Sequence, residues 1–295
     1  MITHQLMGNL LQGLVLGAVY GMATMGLSLI FGVLKVVNVG HGAFIMAGAF
    51  TTYWIFTALG LNPVLAVPAA FLVGLLLGLF FYYTVVKRLT GAPELATLLA
   101  TFSMGVLLQE LVKLIFGSEF RGYNWDIGKL SLGITVLPYT KVLACLGSVA
   151  IAVGLYLWFN KTRAGTAMRS VVEDREGARV CGVNVDGVYA MSFALGIGLT
   201  VASGVLLTMF IPVGINPYMG GGYTLKAFVI AVLGGLASPY GAFFGGLVFG
   251  LIENGSYTLL ALIPGVEPFA LTRFLSFALL LIILLIRPTG LLSGK

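Results

Sequence analysis

The 295-residue chain is 59% hydrophobic and 9% charged, with 41 glycines and a net charge of +6. Soluble domains carry about 25% charged residues, so a soluble fold is excluded, and long apolar runs without alternation exclude a β-barrel. The positive balance therefore points to membrane orientation and not to nucleic acid.

Residues 1–34 contain no Lys, Arg, Asp or Glu. They show no basic n-region and no convincing cleavage site, so they are expected to be a retained span and not a signal peptide. Gly13, Gly17 and Gly21 recur every four residues, a small-residue stripe suited to helix packing in lipid. After Lys35, Asn38, Gly40, His41 and Gly42 interrupt the apolar pattern. They predict either a plain interhelical turn or an unwound element beside a transport path, since irregular backbone at membrane depth must be covered by protein or line a cavity. His41 has no second ligand at metal spacing.

Two spans are expected at about 41–59 and 64–86, turned at Leu61-Asn62-Pro63 and closed by Lys87 and Arg88. A fourth covers 94–116, where Glu110 and Lys113 share a helix face as a surface pair. A polar loop, 117–135, leads to a fifth span near 137–159. Next comes a charged island, Asn160 to Gly187, holding nine charged residues between two uncharged runs. Residues 169–180 are expected to wind as one helix with Gly182 as its stop.

The sixth span is 188–211. Residues 224–236 are short for a crossing, and Gly234-Gly235, Pro239 and Gly241 break the stretch, so a re-entrant or broken helix is expected near 224–241. Gly241, Gly245, Gly246 and Gly250 give the following helix two small-residue stripes. Glu253 lies inside that helix, and an intramembrane carboxylate is either functional or a hydrogen-bonded structural group. A last span is expected at 269–286. The fold class is thus an all-α polytopic membrane protein of about eight or nine transmembrane helices.

Basic residues divide unevenly between alternate loops. Lys35, Lys87, Arg88, five in the island, Arg287 and Lys295 fall on one side; Arg121, Lys129, Lys141, Lys226 and Arg273 fall on the other. The richer side is expected to be cytoplasmic, which places 160–187 in the cytosol and the N-terminus outside. This requires 224–236 to cross. Cys145 and Cys181 lie in a span and in the island, so no disulfide framework is implied. The sequence has no phosphate-binding Gly-rich loop with Lys and Ser, no metal-spaced Cys/His cluster and no nucleophile motif. A transporter or channel subunit remains, driven by an ion gradient or by a partner.

Within the island, Glu176-Gly177-Ala178 and, after three residues, Gly182 resemble the EAA---G cytoplasmic loop of ABC-importer permeases. Gly177 replaces the middle Ala, and the motif's later Ile-x-Leu-Pro tail is absent at Ser192 and Ala194. The run GLVLGAVYGMATMGLSLIFGVLKVVNVGHGAFIMAGAF, including Asn38, His41, Gly42 and Gly48, is similar to the first spans of LivH-type branched-chain amino-acid permeases. So are TRAGTAMRSVVEDREGARVCGVNVDGVYAMSFALG and KAFVIAVLGGLASPYGAFFGGLVFGLIE.

The resemblance implies one permease domain over 1–295, containing a cytoplasmic coupling loop at 160–187 in a bacterial inner membrane. It implies a LivM-like second permease, two P-loop ATPase subunits and a periplasmic substrate-binding protein as partners, with no cofactor and no catalytic residue in this chain. The substrate would be Leu, Ile or Val, or a related solute such as urea or an amide. Arg175, Glu176, Gly177, Ala178, Arg179 and Gly182 would couple to the ATPase. Asn38, His41, Gly42 and Glu253 are candidates for the translocation path. An ion-coupled secondary transporter, with Glu253 as its carboxylate, and a passive channel stay open as alternatives.

Overall fold

The structure, a computed structural model, describes residues 2–286 except 132, 134, 264 and 266. The order begins with α1 (Ile2–Leu34), α2 (His41–Leu59), α3 (Ala66–Thr84) and α4 (Glu94–Phe116). Three short strands follow, β1 (Arg121–Gly122), β2 (Lys129–Ser131) and β3 (Val136–Pro138), then α5 (Tyr139–Lys161). The island forms α6 (Arg163–Glu173) and α7 (Arg175–Val180). The chain continues through α8 (Val185–Thr208), β4 (Val213–Ile215), α9 (Gly220–Gly234), α10 (Pro239–Leu260) and α11 (Pro268–Ile286).

Among the described residues, α1, α2, α3, α4, α5 and α8 are long and apolar enough to cross a bilayer, and the α9–α10 pair brings the number to seven if it forms one broken span. This is slightly fewer than the eight or nine expected from the uncharged runs. The expected last span, α11, is not among these, and α9 and α10 together make one crossing at most, being bent against each other by 112°. Fifteen residues of α9 span about 22 Å, short of the roughly 30 Å hydrocarbon core. The bend falls at Gly235, where φ is +98°, and Ser238 then caps α10 by accepting from the Gly241 amide at 3.0 Å. Arg287 and Lys295, used in the charge count, lie outside the described residues.

The helices α1 and α8 form the centre: 83% and 89% of their apolar windows are buried, against 28% for α3 and 22% for α5. Lipid tails are as apolar as leucine, so association in a bilayer depends on close packing of small residues. The α1 stripe does this against α10, which runs antiparallel to it. Gly13 meets Gly250, Gly17 meets Gly246, and Gly21 meets Phe243. A Cβ on Gly17 would stand 2.6 Å from the Gly246 carbonyl oxygen. The two stripes of α10 serve two neighbours: Gly246 and Gly250 face α1, while Gly241 and Gly245 face Gly234 and Ile230 of α9.

The two ends of the bundle differ. At one end, β1 pairs with β4 and β2 with β3, both antiparallel. The Tyr123 hydroxyl lies 2.8 Å from Thr208 Oγ1 there, and burial pushes its pKa up to about 12. At the other end the island packs beside Lys35, the 89–94 segment and the α9–α10 turn, around one shared cavity.

Candidate functional site

The island is a helix pair and not the single helix expected over 169–180. Asp174 is extended (φ −147°, ψ 107°), and its Oδ1 accepts from the Glu176 amide at 3.0 Å. A side chain that satisfies the first amides of a new helix favours a break at that point. Thr162 caps α6 in the same way through Gly165. Met168 and Val171 are buried beneath α6, and Ala178 beneath α7.

The six island residues fall into three environments. Glu176 and Arg179 pair at 3.5 Å with side chains 76% and 53% exposed, and Val180 beside them is 88% exposed. Arg175 is also exposed, but its guanidinium lies over the Tyr189 ring, 5.4 Å from the centre. Gly177 has the Asp174 carboxylate where a Cβ would stand, and Gly182, at φ +83°, takes the left-handed conformation that ends the helix.

Arg175 also lines a cavity of about 810 Å³, together with Lys35, Val37, Glu94, Thr97 and Tyr189. That cavity leads from the island to the break between α1 and α2. There, Lys35 ends α1 at φ 57°, and residues 35–38 leave the helical path. Side chains of neighbouring helices satisfy the freed backbone. Thr101 Oγ1 of α4 accepts from the Val39 amide at 3.2 Å and donates to the Val37 carbonyl at 3.1 Å. Thr224 Oγ1 of α9 accepts from the Gly42 amide at 2.9 Å. Gly42 lies directly against the Gly220 carbonyl, which leaves no room for a Cβ.

The segment is a short connection between α1 and α2 that runs from exposed Lys35 to a turn at residues 39–40 packed inside the bundle. Asn38 and His41 are both fully buried. His41 Nδ1 is 3.4 Å from Thr200 Oγ1. Among the described residues, His41 Nε2 and both polar atoms of the Asn38 side chain have no hydrogen-bond partner.

Glu253 does not join this break. It faces a second cavity, of about 560 Å³, toward the strand-bearing end, and it binds Lys226 at 2.6 Å. Lys226 also donates to Tyr20 Oη at 2.9 Å. The charge count had placed Lys226 in a loop; it is instead within α9, paired inside the bundle. Lys226, Tyr20, Tyr223, Thr101 and Thr224 were missed by sequence reasoning. One signal was present for Lys226: it and Glu253 are single opposite charges in adjacent apolar segments, and lone charges in lipid seek each other. Helix α9 joins the two cavities, with Tyr223 and Lys226 on the strand-end one and Phe228 on the island-end one.

Comparison with known proteins gives a consistent result. The family model described as branched-chain amino acid transport system / permease component matches residues 9–284. The chain is 30% identical to the high-affinity branched-chain amino acid transport system permease protein BraD of Pseudomonas aeruginosa, covering 97% of this chain and 95% of that one. It is 31% identical to the corresponding LivH of Salmonella typhimurium, covering 97% and 94%. The autoinducer 2 import system permease protein LsrC of Salmonella choleraesuis is 29% identical over 68% of this chain and 55% of its own length. Among solved structures, PsaBC from Streptococcus pneumoniae in complex with Fab matches with a TM-score of 0.54 and 17% identity, over 98% of this chain and 97% of that one, a likeness of fold alone.

Proposed function

The chain belongs to the branched-chain amino acid transport permease family, and from that premise we propose that it is the membrane-spanning subunit of an ATP-driven importer. It is a multi-pass inner-membrane permease component. Its substrates are leucine, isoleucine and valine, or closely related small solutes, delivered by a periplasmic binding protein. A LivM-like permease completes the membrane pair, and two separate ATPase subunits dock on the island, which faces the cytosol.

The observation that carries this reading is the double placement of α7. Its outer face offers Glu176, Arg179 and Val180 to a partner, while Arg175 at its start lines the cavity that reaches the α1–α2 break. A push on α7 by a closing ATPase dimer is thereby delivered to the segment holding Asn38, His41 and Gly42. That segment and Glu253 lie along the translocation path, and alternating access consists in opening the two cavities by turns. The ion-coupled alternative needs an intramembrane carboxylate free to take up a proton. Glu253 already holds an ammonium at 2.6 Å, which favours energy from a partner.

The test is co-purification of the ATPase with Glu176→Arg and Gly182→Val permeases, alongside uptake in cells. Glu176→Arg places a cation beside Arg179 and against whatever basic group the partner presents. Gly182→Val forces a β-branched residue into positive φ. Both variants are expected to lose ATPase association and uptake while the binding protein keeps its substrate affinity. Normal association and uptake in both would refute the coupling role.

A further inference from the structure

We propose that Lys226 and Glu253, with Tyr20 and Tyr223, form a binding site for the charged head of a zwitterionic α-amino acid, on the side of the bundle away from the island. This deepens the transport reading above and rests on it. Several independent features meet at this place. The two charged side chains are 21% and 17% exposed, and both border the cavity of about 560 Å³. That volume lies within the roughly 300–1,000 Å³ typical of small-molecule sites.

Glu253 binds Lys226 through Oε1, while its Oε2 is buried with no hydrogen-bond partner among the described residues. A buried ion pair is rarely more stabilising than apolar packing in its place, and an unmatched carboxylate oxygen makes it less so. Fold stability is therefore a poor reason for the pair. A ligand that brings a donor to Oε2 is a better one. An α-ammonium does so, and the ligand's carboxylate then takes donors from the Lys226 ammonium, which has three.

The exchange conserves pairing. A zwitterion has no net charge, so each buried charge keeps an opposite neighbour as the ligand enters and leaves. The tyrosines extend the same logic. Lys226 Nζ lies 4.7 Å from the Tyr20 ring centre and 6.0 Å from that of Tyr223, so π faces already hold a cation here and can share a second. Leu16, Ile211 and Met219 line the cavity, giving an aliphatic side chain an apolar wall. A neutral solute such as urea has no full charges to exchange with the pair, so the site selects for amino acids.

The experiment uses the whole transporter, with partner permease, ATPases and binding protein, in proteoliposomes. ATP-driven leucine uptake and co-purification with the partners are measured for wild type, Lys226→Met/Glu253→Gln and Glu253→Asp. The double variant removes both charges together, so neither is left buried alone. It is expected to co-purify with its partners and to lose leucine uptake by about ten-fold or more, the scale of one charge-assisted hydrogen bond. Glu253→Asp, which keeps the charge but shortens its reach, is expected to raise KM for leucine uptake. Wild-type uptake in the double variant overturns the site. If the double variant does not assemble, an unchanged KM in Glu253→Asp overturns it instead. No ATP-driven uptake by the wild type would refute the transport reading and this site with it.

Discussion

Thr224 Oγ1 holds the Gly42 amide at 2.9 Å across 182 residues of sequence. One hydroxyl thereby fixes α9 to the start of α2 and covers a backbone donor that the α1–α2 break sets free. Replacing Thr224 by Val keeps the shape and removes the acceptor. The orphaned amide is expected to cost about 1–3 kcal/mol. Thr224→Ser retains the hydroxyl and is expected to behave as wild type. Thermal stability in detergent, read by the loss of the monodisperse peak on size exclusion, measures both.

The α1–α10 contact predicts a sharp contrast between two glycines. Gly17→Val drives a side chain into the Gly246 carbonyl, and overpacking of this kind costs about 1–3 kcal/mol or more. Gly221 has no atom within 4 Å of its Cβ position. Gly221→Ala is therefore expected to be neutral, or stabilising by up to about 1 kcal/mol through helix propensity. Equal losses in the two variants, in the same thermal assay, would contradict the close helix contact.

Cys181 is exposed on the island and Cys145 is half-buried in α5. With Cys145 replaced by Ala, an impermeant maleimide is expected to label Cys181 only after the inner membrane is permeabilised. A cysteine at Val213, 74% exposed on β4 at the opposite end, is expected to react from the periplasm in a background without the two native cysteines. The reverse pattern would invert the orientation.

Tyr123 gives a pH signature. Burial raises its pKa from 10.0 to about 12, while its hydrogen bond to Thr208 pulls slightly the other way. Folding thus favours the protonated phenol. The stability tied to that proton is intact below pH 10, and it is lost as the unfolded chain deprotonates first between pH 10 and 12. The slope of stability against pH in that window is expected to be shallower in Tyr123→Phe than in wild type. Parallel slopes would show that the phenol does not titrate as placed.

The spans were legible because lipid imposes a simple rule on composition. The ends expected at residues 59, 86, 116 and 159, where turn residues or charges begin, lie within two residues of the helix ends at Leu59, Thr84, Phe116 and Lys161. The Glu110–Lys113 surface pair, at 2.6 Å, was legible from its i, i+3 spacing. Other features depend on the third dimension. Thr101 and Thr224 are ordinary helix residues until the break at Val37–Gly42 needs partners. Lys226 reads as a loop charge until Glu253 is brought to it. Asp174 divides the island helix by a local capping bond that competes closely with continuation, and periodicity cannot resolve such a competition. Strands of two or three residues, such as β1 and β4, carry too few side chains to show alternation.

The shortness of α9 has a mechanical meaning. A helix that reaches both surfaces of a bilayer cannot swing far without dragging a polar loop through the headgroups. Helix α9 stops short of that length, begins beside Gly42 and ends at the Gly235 bend. Its neighbour α10 is locked to α1 by backbone contact over three glycine steps, and α9 is itself held at Gly42 by one end and against Gly241 of α10 by the other, so it ties α2 to the α1–α10 pair. The strand-end cavity at Lys226 and the island-end cavity at Phe228 are thus bordered by one short helix, so a change at either end of it bears on both.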